Sequence, residues 1–332
     1  MASTRLLCLF SAKAAGTTKT RLAGAAARRV CCRRSVCSSP SRRQSCMSAW
    51  VIDQYDTDGG GLRFTDEATV PTVRSPTEVL IQVHAASLNP LDISMRGGYG
   101  AKLLKLRREP LSAMHSDSEF PLILGRDVSG VVVDCGSEVT HFAPGDEVSH
   151  KPELVSHTEA ASIPYVASTA LSALVSAAGL CRDSSSNKRV LVTGGSGGVG
   201  TFSIQLLKAW GAHVTVTCSH NAEGLVRGLG ADKVVDYTEG DVAEQLGMME
   251  KFDVILDNVG GDTEQWAVGL LKPWSGAKYV TLVTPFLLNT DSMGLMDGTI
   301  NAGVTLCAKA TQSSAISDGV TPYLVPQRSS RR

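Results

Sequence analysis

Residues 189–200 read Arg-Val-Leu-Val-Thr-Gly-Gly-Ser-Gly-Gly-Val-Gly, and this stretch decides the fold. The first five residues form a short apolar, β-branched run of the kind that makes a buried strand. Residues 199–210 carry helical spacing and stop at Gly211, a residue suited to a helix C-terminus. The glycines lie between. They let the backbone turn sharply and approach a pyrophosphate, while the free N–H groups of a helix start attract the anion. Gly195-x-Gly197-x-x-Gly200 has the dinucleotide-binding spacing. The spacing alone is a weak signal; between a strand and a helix it becomes specific.

Downstream, strands are expected over 213–217, 233–236, 252–257 and 277–283. Helices are expected over 222–229, 241–249 and 264–271. Strands alternating with helices at this interval predict an α/β fold, a doubly wound parallel sheet of the Rossmann type. Two rival readings of the glycine turn fail on chain order. Gly194-x-Ser196-x-Gly198 also matches a hydrolase nucleophile elbow, which needs a later acid followed by a histidine. The later histidines are His213 and His220, and no Asp or Glu separates Ser196 from His220. A phosphate-binding P-loop would close with Gly-Lys-Ser/Thr, which is missing here.

The end of the second strand bears on the cofactor. An NAD-type site places a carboxylate there to accept from the ribose 2′-hydroxyl. Here the strand ends in Thr217-Cys218-Ser219-His220, and the first acid is Glu223. A hydroxyl and an imidazole tolerate a 2′-phosphate that a carboxylate would repel, so NADPH is the expected cofactor. A plain polar turn is the other reading of Ser219 and His220.

Upstream of the glycine turn, residues 78–86 and 130–134 are strand-like runs bounded by Pro or Gly. Residues 97–120 read as a loop or short helix over a site mouth. The longest uncharged run, 163–181, could span a bilayer by length. It is interrupted by Ser168, Thr169, Ser172 and Ser176, and a buried helix between two domains is the better reading.

Formal net charge is zero but unevenly spread. Residues 1–52 hold ten of the 32 Lys and Arg and none of the 32 Asp and Glu, so the remainder carries −10. An acidic body argues against a nucleic-acid surface. The leader is rich in Arg, Ser and Ala and reads as a mitochondrial transit peptide over 1–46. It directs the chain to the matrix, with association at the outer membrane as the alternative; a basic arm is the other reading of the same residues. Five of the nine cysteines fall in it, and Cys135, Cys181, Cys218 and Cys307 are too scattered for a disulfide framework.

Three further motifs carry a family likeness. They are Asn89-Pro90-Leu91-Asp92, Leu124-Gly125-Arg126-Asp127-Val128-Ser129-Gly130 and Phe142-x-Pro144-Gly145-Asp146-x-Val148. With the glycine turn and Leu256-Asp257-Asn258-Val259-Gly260-Gly261, the chain resembles the quinone-oxidoreductase-like medium-chain dehydrogenases/reductases over about 47–309. The resemblance implies a GroES-like β-rich substrate domain over 47–160 and a Rossmann NADPH domain over 161–310. It implies hydride transfer to a quinone or conjugated carbonyl, a supporting role in ubiquinone biosynthesis, and a reticulon-family membrane protein as partner. It carries the pyrophosphate to Ser196, Gly197, Gly198 and Val199, and the 2′-phosphate end to Ser219 and Tyr237. Asn258 falls beside the nicotinamide ribose, Thr169 near the nicotinamide, and Asn89 facing the substrate.

Zinc-dependent relatives carry Cys and His-Glu ligands where this chain has Asn89 and Arg126-Asp127, and the structural-zinc cysteines are missing, so no metal is expected. His84 reads as a strand residue. Tyr99, in an Arg-Gly-Gly-Tyr-Gly loop, is either a proton donor or a packing residue. Two departures from the family pattern stand out. Val148 runs directly into Ser149-His150-Lys151-Pro152, where relatives continue with about twenty residues including a strand pair. The likeness also stops near 308–310, leaving 311–332 as a polar tail expected to be disordered. The GroES-like domain is therefore expected to be incomplete, as in a truncated or alternatively spliced form. A non-catalytic NADPH-binding or reticulon-interacting protein is the second reading. A product that fails to fold, with unpaired strand edges, is the third.

Overall fold

The computed structural model describes residues 5–10, 46–56, 60–101, 120–148, 151–283 and 321–324. The chain divides into two compact units, one of Met1–Gly98 with Met114–Ser162 and one of Tyr99–Ala113 with Ile163–Arg332. Most of the loop expected over 97–120 lies outside the described residues.

The first unit is β-rich. Strand β1 is Arg5–Phe10, β2 Cys46–Ile52, β3 Leu62–Thr69, β4 Glu78–Ser87 and β5 Asp127–Cys135. β2 and β3 form an antiparallel pair; β4 lies between a parallel β1 and an antiparallel β5. Val79, Ile81 and Val83 recur at every second position of β4, so all three point to one face. There they pack with Val128, Val132 and Val148. Two short helices follow the strands, α1 at Pro90–Arg96 and α2 at His157–Ala161. β1 falls within the stretch read as a leader. It covers an edge of β4 that would otherwise leave backbone groups unpaired.

The second unit opens with α3, Pro164–Leu171, which continues as a π-helical turn over Ser172–Ala177. Thus the uncharged run is helical only in part, and no helix among the described residues is long and apolar enough to cross a membrane. Then come β6 (Arg189–Val192), α4 (Gly198–Ala209), β7 (His213–Cys218), α5 (Glu223–Gly228) and β8 (Lys233–Asp236). They are followed by α6 (Val242–Gly247), β9 (Val254–Asp257), α7 (Thr263–Ala267) and β10 (Lys278–Thr281). Trp210 caps α4, and Gly211 beyond it takes φ +77°, the left-handed region that glycine reaches without strain. Asp241 starts α6 by accepting from the amides of Ala243 and Glu244.

A sixth strand, β11, is Thr321–Leu324, within the polar tail. Its backbone pairs parallel with the open side of β10. As an outermost strand it tolerates Pro322, which has no amide to donate. The sheet order is β11-β10-β9-β6-β7-β8, all parallel, so the winding reverses between β6 and β9. Val190 and Val192 face a core with Ile204, Leu207, Val214, Val216 and Leu256. Leu191 faces the opposite core with Phe252, Ile255, Leu270 and Tyr279. Both faces of the sheet are therefore covered, which explains why these strands read as unbroken apolar runs. Each fully buried Leu or Ile contributes about 1.5–3 kcal/mol.

Candidate cofactor site

The glycine turn leaves β6 at the point where the winding reverses, which is where open α/β sheets bind ligands. Two hydrogen bonds pin it to β7: Gly194 N donates to Thr217 Oγ1 at 3.2 Å and Gly195 N to the Thr217 carbonyl at 2.9 Å. Close approach demands glycine here. A Cβ on Gly195 would stand 2.0 Å from Val216 Cγ1, and one on Gly200 would stand 2.6 Å from the Gly194 carbonyl oxygen. Gly197 N donates back to Gly194 O at 3.2 Å and closes the turn. The first amides of a helix have no intrahelical acceptor. Among the described residues, the amides of Ser196, Gly198 and Val199 meet no backbone acceptor either. They are donors at the positive end of α4, a site made for an anion.

Thr169 lies one turn beyond Val166 on α3, and Val166 Cγ1 would be 2.8 Å from a Cβ on Gly198. The structure thus brings α3 against the glycine turn, with Thr169 half-buried. Ser219 follows β7 and is half-buried; Tyr237 follows β8, is exposed, and donates its amide to the Cys218 carbonyl. These two stand together at neighbouring strand ends. Asp236 ends β8 opposite Cys218 of β7, just before Tyr237, and was not picked out by the sequence. Its Oδ1 accepts from Thr238 N (2.8 Å) and Oγ1 (2.7 Å), which holds its carboxyl below the usual range, with a smaller contribution from His220. Its Oδ2 is 3.5 Å from His220 Nδ1. His220, Asp236 and Glu239 present ligand atoms within 4.8 Å of one another, the one such group among the described residues.

Asn258 follows β9. Its Nδ2 donates to the Thr193 carbonyl at 2.8 Å and its amide to Thr193 Oγ1 at 3.1 Å, which ties the β9 end to the glycine turn. Its Oδ1 is buried and has no hydrogen-bond partner. An acceptor left unmade in this way costs about 1–3 kcal/mol unless something donates to it. Both this orphaned oxygen and the free amides of the turn fit a dinucleotide, whose phosphates accept and whose ribose hydroxyls donate.

The sequence reading missed Asp257. It is fully buried at the last position of β9. Its Oδ1 accepts from Thr193 Oγ1 at 2.7 Å, Val259 N at 3.1 Å and Gly260 N at 3.2 Å. Its Oδ2 accepts from Tyr279 Oη at 2.6 Å, Gly260 N at 3.1 Å and Thr281 Oγ1 at 3.3 Å. Burial, and then the hydrogen bond to Asp257, push the Tyr279 hydroxyl far above its ordinary pKa, so it stays a donor. The signal was present: Thr193 and Asp257 are polar residues closing apolar strands, and Tyr279 and Thr281 alternate on β10.

In the first unit Asn89 is buried, 7% exposed, at the start of α1. Its Nδ2 donates to Asp127 Oδ2 at 3.0 Å, an oxygen that also accepts from Ser87 Oγ at 2.8 Å. Its amide donates to Asp92 Oδ2 at 2.8 Å. Arg126 Nη2 contacts Met95 Sδ at 3.1 Å. His84 is on β4, as read, with its ring centroid 4.5 Å from that of His157. Burial, and then the neighbouring His84, lower the His157 pKa.

A β-rich unit and, in the same chain, a doubly wound sheet with this glycine turn define the medium-chain dehydrogenase/reductase architecture. Residues 75–203 match the alcohol dehydrogenase GroES-like domain, and 198–284 match the zinc-binding dehydrogenase family. The chain belongs to the medium-chain dehydrogenase/reductase family, in its quinone-oxidoreductase-like branch. More narrowly, it is 56% identical over 299 residues to the mitochondrial NAD(P)H oxidoreductase RTN4IP1 of Danio rerio, covering 83% of this chain and 77% of that one. The Homo sapiens protein of the same name is 52% identical over 296 residues, covering 82% and 74%. Among solved structures, the quinone oxidoreductase from Coxiella burnetii matches with TM-score 0.62 and 27% identity, covering 86% of this chain and 84% of that one.

Proposed function

We propose that this chain is a zinc-independent, NADPH-dependent oxidoreductase that delivers hydride to a quinone or conjugated carbonyl in mitochondria. The observation that carries the reading is the glycine turn at the reversal of the sheet, with three unengaged amides and the orphaned Asn258 Oδ1 beside it. The names of the relatives, NAD(P)H oxidoreductases of mitochondria, support the cofactor class and the compartment. When bound, the nicotinamide supplies the hydride. The protein's part is to hold and orient. Ser196, Gly197, Gly198 and Val199 receive the pyrophosphate, Asn258 fixes the nicotinamide-side ribose, and Thr169 lines the same turn from α3. Ser219 and Tyr237 present hydroxyls to the 2′-phosphate, while Asp236 is turned towards Thr238 and His220.

Zinc independence has its own support. At the family's ligand positions, the Asn89 amide nitrogen donates to Asp127, which is a complementary polar pair and not a set of converging lone pairs. Asn89 is the candidate substrate-facing residue of the first unit. A supporting role in ubiquinone biosynthesis and a reticulon-family partner extend the reading, the latter from a relative named reticulon-4-interacting protein.

A second reading is a cofactor-binding protein without turnover. It draws on the run from Val148 into 149–152 and on an aligned stretch of 299 positions that takes in only 83% of this chain, as a missing segment would produce. Steady-state oxidation of NADPH by the full chain, with a short-chain ubiquinone and with an enone as acceptors, separates the two. Acceptor-dependent oxidation, faster with NADPH than NADH, is the expected result. Tight NADPH binding with no acceptor-dependent oxidation would establish the second reading instead.

A further inference from the structure

We propose that Asp257 is a buried, uncompensated carboxylate that favours the oxidised, cationic nicotinamide over the reduced, neutral one. The inference rests on the cofactor reading above. Every group facing Asp257 donates to it. The amides of Val259 and Gly260 can only donate. Thr193 Oγ1 accepts from Asn258 N and Thr281 Oγ1 accepts from Val283 N, so each hydroxyl proton is left for Asp257. Tyr279 donates from the third side. Both Asp257 oxygens thus sit among donors, two of them backbone amides, the surroundings that suit an acceptor-only carboxylate.

Among the described residues no Lys, Arg or His pairs with it. Glu264 contributes a further negative charge to the field at Tyr279. A buried charge held only by neutral donors is costly. Its position suggests what the charge does. Asp257 ends β9, whose C-terminal end flanks the glycine turn, and it is bonded to Thr193, which also anchors Asn258.

Hydride departure takes two electrons and one proton from the dihydronicotinamide and leaves the ring with a charge of +1; the acceptor gains the hydride and then a solvent proton. A fixed negative charge in low dielectric stabilises that positive ring and has no comparable effect on the neutral one. With its oxygens taken up by protein donors, Asp257 acts through the field.

The test is equilibrium binding of NADP+ and NADPH to the full chain, to Asp257→Asn and to Tyr279→Phe. The wild type should bind NADP+ at least as tightly as NADPH. Asp257→Asn should shift the ratio of the two affinities by about fivefold or more towards NADPH. Tyr279→Phe keeps the charge, and should leave the ratio within about twofold even where it lowers stability. An unchanged ratio in Asp257→Asn, or an equal shift in both variants, overturns the proposal. Should Asp257→Asn fail to fold, a wild type that prefers NADPH by tenfold or more overturns it alone. Failure of the wild type to bind either form defeats the cofactor reading, and this inference with it.

Discussion

Gly195 has no room for even a methyl group, because Val216 Cγ1 would lie 2.0 Å from it. Gly195→Ala must therefore push β7 away or distort the turn, at a cost of about 1–3 kcal/mol. Thermal melting should show a lowered midpoint, and NADPH titration a weaker affinity, because the displaced amides are the proposed anion donors. Normal stability and affinity in this variant would mean that the turn is not held as described. Tyr279→Phe leaves one Asp257 oxygen with weaker donors, at about 1–3 kcal/mol by chemical denaturation. At this scale the sequence was legible where glycine spacing carries meaning by itself. Asp257 escaped because its partners Thr193, Tyr279 and Thr281 lie on three strands far apart in the chain. Only the sheet order brings them together.

Elements were legible to the extent that apolar runs and glycine stops define them. The strands expected over 213–217 and 233–236 are β7 and β8, and the helix expected over 199–210 is α4. The helix expected over 264–271 breaks into α7 and a 3-10 turn at Val268–Leu270, because Gly269 and the bond from Leu271 N to the Val268 carbonyl tighten its end. β11 was hidden because four residues in a polar tail gain strand character only by lying along β10. One contact between elements sets a pH dependence. The Asp253 carboxylate accepts from Arg189 N at 2.8 Å and Lys272 Nζ at 2.7 Å, joining the start of β6 to the segment after α7. Burial opposes its ionisation, yet the Arg189 amide, Lys272 and Lys188, whose Nζ is 3.4 Å from Oδ1, prevail and hold its pKa below the ordinary carboxylate value. Since the folded value is the lower one, the stabilisation is present above the unfolded pKa of about 4 and fades as pH falls through the folded value. Asp253→Asn should cost about 1–3 kcal/mol at neutral pH and progressively less in acid. A stability difference that stays constant down to pH 3 would contradict this account.

For the molecule as a whole, the Rossmann unit was readable because its alternation is strictly local and repeats along the chain. The β-rich unit was less so, since β4 and β5 are separated by α1 and by residues 102–119, which lie outside the described structure. The central claim is that the glycine turn of the second unit grips a phosphorylated nicotinamide dinucleotide in the chain as it stands. Thermal melting of the full chain with NADPH, with NADH and without ligand tests it most directly. A ligand that binds only the folded state stabilises by about 2.7 kcal/mol at one hundred times its dissociation constant. The account predicts a clear rise in midpoint with NADPH and a smaller one with NADH at equal concentration. An equal rise with both would contradict the reading of Ser219 and Tyr237, and no rise with either, in a sample that melts cooperatively, would contradict the account itself.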